Sequence, residues 1–147
     1  VRVIQAIKGR FPAAELVLNR GFELLPAVKA HVLAVAAESI YAGWDPIAKK
    51  YRNVPAEWRE PLLAKLKHVR DEHKLPIIAI EYVPPEERAR ARETAERIKA
   101  LGFIPWVANP DLNMVGVGAV EVVPRKVLML YSSERGERAL ELEYVAR

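Results

Sequence analysis

Two short runs leave this chain little freedom. Val32-Leu33-Ala34-Val35-Ala36-Ala37 and Ile77-Ile78-Ala79-Ile80 are apolar at every position rather than at alternate ones. A strand with one face in water alternates, whereas a strand covered on both faces does not. Both runs have strand length, and a carboxylate, Glu38 or Glu81, closes each. Helical patterns lie beside them. Pro55 opens one through about His73, with Trp58, Leu62, Leu66, Val69 and His73 on one apolar stripe. Pro84-Pro85-Glu86-Glu87 opens another, with proline at the first position and acids in the first turn. Gly102 ends it as a left-handed cap. Glu15 to Asn19 and Phe103 to Asn109 read as two more strands, the second despite Pro105. Helix and strand in alternation predict an α/β fold with a parallel sheet.

The remaining stretches are less regular. Val1 to about Phe11 has apolar residues at helical spacing and no capping residue ahead of them. That uncapped start, without Met or a signal-peptide pattern, raises the expectation that the chain is the later part of something longer; a Val encoded by an alternative start codon is the rival reading. Phe22 to Ala30 is a short helical turn, and Ser39 to Val54 a long connection. Lys126 to Tyr131 and Ala139 to Val145 flank a turn, which predicts a β-hairpin or the start of a further element over residues 126–147, after a main unit of residues 1–125.

Several chemistries are excluded. The 147 residues contain no Cys, so disulfides, thiolate zinc sites and thiol catalysis are out. His31, His68 and His73 have no metal-ligand spacing, and no glycine-rich phosphate loop occurs, so neither metal nor cofactor is expected. The net charge of +4 arises from mixed signs, as in Glu86 to Lys99, where Glu alternates with Arg. That pattern is a solvated helix face and speaks against a nucleic-acid partner. No apolar run is long enough for a membrane-spanning helix. Four Asn, one Gln and eleven Pro suit a thermophile.

In parallel α/β folds ligands bind at the carboxyl ends of the strands. There the sequence places Asn19-Arg20, Glu38-Ser39, Glu81-Tyr82, and Asn109 with Asp111. A carboxylate at the rim of an apolar sheet is desolvated on one side, which raises its pKa and equips it as a general acid. Two of them on neighbouring strands would suit glycoside hydrolysis. Glu38 and Glu81 are therefore the candidate catalytic pair. The plainer reading of each is a strand end that caps a helix or pairs with an Arg. Tyr41, Trp44, Tyr51 and Trp106 either stack on a sugar ring or pack a loop.

Leu18-Asn19-Arg20-Gly21-Phe22 followed by Val35-Ala36-Ala37-Glu38-Ser39-Ile40-Tyr41 resembles the (β/α)8-barrel glycoside hydrolases of the endo-α-1,4-polygalactosaminidase type. The order of Tyr51, Leu75-Pro76, Glu81-Tyr82 and Gly102-Phe103 agrees with it over residues 1–112. The resemblance implies the C-terminal half of such a barrel, acting on α-linked galactosamine-containing polysaccharide, in a secreted or cell-envelope protein. It implies that Glu38 is the catalytic acid, that Glu81 replaces the family's usual Asp, and that Asn19, Tyr41 and Tyr82 line the cleft. The family's other carboxylate would lie on a strand before Val1. Arg20, Trp44, Tyr51, Trp106, Asn109 and Asp111 complete the expected substrate-binding set. About four strands is half of what a closed barrel needs. Open sheet edges predict self-association. The competing expectation is a non-catalytic carbohydrate-binding or structural remnant.

Overall fold

The computed structural model describes residues 1–113 and 116–118. Helix α1 (Arg2–Arg10) leads to strand β1 (Leu16–Asn19). Short helical turns follow over Phe22–Leu24, Leu25–Val28 (α2) and Lys29–His31. Next come β2 (Val32–Glu38), β3 (Ala42–Asp45), β4 (Lys50–Asn53), α3 (Ala56–His68) and a π-turn over Val69–His73. The described chain closes with β5 (Ile77–Tyr82), α4 (Arg88–Ala100), β6 (Ile104–Ala108) and β7 (Val117–Gly118).

One sheet runs in the order β1-β2-β5-β6-β7. The pairs β1–β2, β2–β5 and β5–β6 are parallel, as the consecutive apolar runs require, and β7 joins antiparallel. Pro105 is tolerated because it lies near the start of β6, and the described ladder to β7 begins one residue later at Trp106. The predicted hairpin over residues 126–147 lies outside the described residues.

The two faces of the sheet are covered differently. Leu25, Val28, Leu63, Leu66, Val69, Ile98 and Phe103 pack from the helical layer onto Val35, Ala37, Ile77 and Ala79. The opposite face packs Ala34, Ala36, Ile78, Ile80, Trp106 and Ala108 against one another, with no helix among them. Helices on one face and strand side chains alone on the other is the layering of a barrel wall, not of a doubly wound sheet.

Three local expectations change. Trp58 leaves the apolar stripe: it is 58% exposed, and the buried positions are Leu63, Leu66 and Val69. The Arg52 guanidinium instead stands 5.2 Å from the centre of the Trp58 ring. Helix α4 starts at Arg88, with no acid in its first turn. Pro84 and Pro85 precede it in a turn closed by Glu87 N–H donating to the Pro84 carbonyl at 3.0 Å. The connection from Ser39 to Val54 is not irregular but contains the β3–β4 hairpin, in register from Ala42 opposite Asn53 to Asp45 opposite Lys50. Asp45 turns it, accepting Ile47 and Ala48 N–H at 3.0 and 2.9 Å.

Candidate active site

Strand alternation decides which rim residues meet. Side chains two apart share a face. Glu38 therefore follows Ala34 and Ala36 onto the helix-free face, and Tyr82 follows Ile78 and Ile80 there. Asn19, opposite Ala36, joins them from β1. The three side chains converge. Asn19 Nδ2 donates to Glu38 Oε1 at 2.8 Å, and the Tyr82 hydroxyl donates to Glu38 Oε2 at 2.7 Å. Both carboxylate oxygens are thus held, from two different strands. Burial, then the hydrogen bond to Glu38 and the charge of Glu38, push the Tyr82 phenol well above its ordinary range. Tyr82 remains a neutral donor at physiological pH.

Glu81 goes the other way. It follows Ile77 and Ala79 onto the helix-covered face and is 0% exposed. Its Oε1 accepts Ile40 N–H at 2.7 Å, and its Oε2 accepts Tyr41 and Ala42 N–H at 2.9 and 2.5 Å. Burial pushes its carboxyl group up to about 7, against the three backbone N–H groups and the Arg97 charge, which favour ionisation. The expected cleft pair Glu38/Glu81 is therefore not present as a pair. The strands are neighbours, but consecutive positions on β5 point to opposite faces, and Glu81 offers no oxygen at the rim.

Tyr41 is also displaced from its expected place. It packs against the core under the helical layer, with the guanidinium carbons of Arg97 and Arg59 at 4.0 and 5.5 Å from its ring centre. Arg20 adopts a left-handed conformation, φ 58°, and spans to the Glu38 carbonyl at 3.1 Å, so it braces β2 beside the site. Trp106 is 9% exposed, and a Cβ at Gly116 would stand 2.8 Å from its indole Cε2. That close backbone leaves no room for a sugar on that side of the ring. Its Nε1 is buried without a hydrogen-bond partner. An open groove of about 310 Å³ between Arg20, Phe22, Glu23, Leu62 and Lys65 lies on the helical side and does not include Glu38.

The hairpin carries Trp44 and Tyr51 as a cross-strand pair, ring centres 4.9 Å apart at 67°. Burial, then the charges of Glu86 and Asp111, push the Tyr51 phenol up. The Arg90 guanidinium on α4 ties the hairpin down through Asn53 Oδ1 at 2.8 Å. Asn109 donates to Asn113 Oδ1 at 2.6 Å, and Asp111 is exposed. Among the described residues no group of three or more His, Asp or Glu could hold a metal ion, and no helix is long and apolar enough to cross a membrane.

The sheet is layered like a barrel wall, and its rim presents a carboxylate fixed by an Asn and a Tyr. The chain belongs to glycoside-hydrolase family GH114, whose family model matches residues 1–128. Among solved structures it resembles the glycoside hydrolase domain of PelA from Pseudomonas aeruginosa, with a TM-score of 0.74 and 41% identity. A variant of that domain with one Glu changed to Ala matches with a TM-score of 0.74 and 40% identity. In both comparisons the match covers 79% of this chain and 46% of the other. The chain thus matches about half the length of these neighbours. No curated protein matches it. The mixed α/β sheet is accordingly part of a TIM-barrel-like glycoside hydrolase fold.

Proposed function

We propose that this chain carries the acid/base half of a glycoside hydrolase site, with Glu38 as the catalytic carboxyl group. The substrate class is α-linked, galactosamine-containing polysaccharide. The observation that carries the reading is the fixation of both Glu38 oxygens by Asn19 and Tyr82 at the carboxyl end of β2. A carboxyl group held in one orientation is preorganised to give a proton to a glycosidic oxygen and take one from water. Trp44 and Tyr51, paired across the β3–β4 hairpin, supply the aromatic wall. Glu38→Gln is expected to abolish release of reducing ends from such a polymer; turnover at the wild-type rate would refute the assignment.

Hydrolysis needs a second carboxylate. Since Glu81 faces the helices, we place that group on a strand paired along the outer side of β1, which is an edge of the sheet among the described residues, next to Asn19. Val17 on β1 and Ile104 on β6 are 38% and 42% exposed on the helix-free side, which favours covering of this face. A second copy of the chain is the proposed partner, and light scattering at rising concentration tests it. A monomer throughout would count against it. The orientation of Glu81 also favours a second reading, a carbohydrate-binding remnant without turnover. Oligosaccharide binding with no cleavage by the wild-type chain would select that one.

A further inference from the structure

The Glu-Tyr dipeptide at the end of β5 holds Glu38 from one face of the sheet and the turn that follows Glu38 from the other. Tyr82 reaches the Glu38 side chain on the helix-free face. Glu81, one residue earlier, reaches the backbone just beyond Glu38 on the covered face. We propose that Glu81 is a positioning residue for Glu38: its carboxylate gathers the N–H groups of Ile40, Tyr41 and Ala42 and so fixes the turn that sets where Glu38 stands. The inference rests on the acid/base reading of Glu38.

The turn needs such a clamp. Ser39, directly after Glu38, has φ 60°, a left-handed conformation that costs a non-glycine residue of order 1 kcal/mol or more and persists only where neighbours over-determine it. Those neighbours are present. Ser39 N–H donates to the Ile80 carbonyl at 2.8 Å. Gly43 lies so close that an added Cβ would stand 3.2 Å from Ser39 Cβ and 3.0 Å from its Oγ. The three N–H groups converge on Glu81 as a backbone nest does on an anion.

The charged surroundings fit a carboxylate held by amides rather than by an ion pair. From α4, Arg97 faces Glu81 and lies over the Tyr41 ring. From α3, the Arg59 guanidinium carbon stands 5.5 Å from the centre of the Tyr41 ring. Tyr82 and Glu38 stand on the opposite face of the sheet. None of the ion pairs among the described residues includes Glu81. Burial sets its titration near 7, so the clamp weakens as the solution is acidified through that point.

The test is a proton–nitrogen NMR titration of the full chain from pH 5 to 9, with turnover measured alongside. In the wild type the Ile40, Tyr41 and Ala42 amides and the Asn19 side-chain NH2, which reports Glu38 from the other face, are expected to share one step near pH 7. In Glu81→Gln the Asn19 signal should lose that step. With an α-linked galactosamine polymer, kcat of the variant should fall by up to about 100-fold, since misplacement by about 1 Å suffices. KM should change little. A step confined to the three amides, with Asn19 unmoved, overturns the proposal even if the variant does not fold. A wild-type chain that binds the polymer without cleaving it refutes the acid/base reading instead, and the Asn19 titration still decides the positioning role.

Discussion

Burying Glu81 makes stability depend on pH in a direction opposite to that of most carboxylates. Its carboxyl group titrates at about 7 in the folded chain, against an ordinary value of 4.5, which serves for the unfolded chain. Between those values the folded state binds a proton that the unfolded state does not. Stability from this group is therefore fully present below pH 4.5 and is lost as pH rises through 7. At about 1.4 kcal/mol per pH unit, the separation is worth about 3 kcal/mol. Urea unfolding at pH 5, 6, 7 and 8 reads this directly. The wild type should be about 2–3 kcal/mol more stable at pH 5 than at pH 8 from this source, a little less than the full separation. Glu81→Gln keeps the side chain's size without the titration, so the difference between the pH slopes of the two proteins isolates Glu81 from the three histidines, which both retain. Equal pH slopes in wild type and variant between pH 5 and 8 would refute the reasoning.

Other outcomes follow from single contacts. Tyr82→Phe removes the donor to Glu38 Oε2 and should cost about 1 kcal/mol of stability while lowering kcat; denaturant unfolding and initial rates check both. Leu66→Ala empties a fully buried position against the sheet and should cost about 2–5 kcal/mol, seen as a lower urea midpoint. Gly43→Ala puts a Cβ 3.0 Å from Ser39 Oγ, so Ser39 has to shift by a few tenths of an ångström; stability should fall by about 1 kcal/mol, with the Ile40 to Ala42 amide signals displaced in the same sample.

Much of the layout was legible from local chemistry. The unbroken apolar runs ending at Glu38 and Glu81 require strands covered on both faces, and the structure pairs them as parallel neighbours. The Asn19-Arg20-Gly21 and Glu38-Ser39 strand ends carried the family resemblance, and the family match agrees. The β3–β4 hairpin was missed because two four-residue strands are too short to show a period. Its signals were the turn-forming Asp45-Pro46 and the facing aromatics Trp44 and Tyr51. The α4 start was misplaced because Pro84-Pro85 fits a turn as well as a first helical turn.

By itself the sequence determined the alternation of helix and strand, the absence of thiol chemistry and the rim position of Glu38, because composition and spacing act locally. Tertiary structure decided the division of labour between the two glutamates. Side chains on a strand alternate in direction, but which face holds helices depends on packing from elsewhere in the chain. Only that packing turns Glu81 into a buried acceptor of three backbone N–H groups, and only strand register brings Asn19 and Tyr82 onto Glu38.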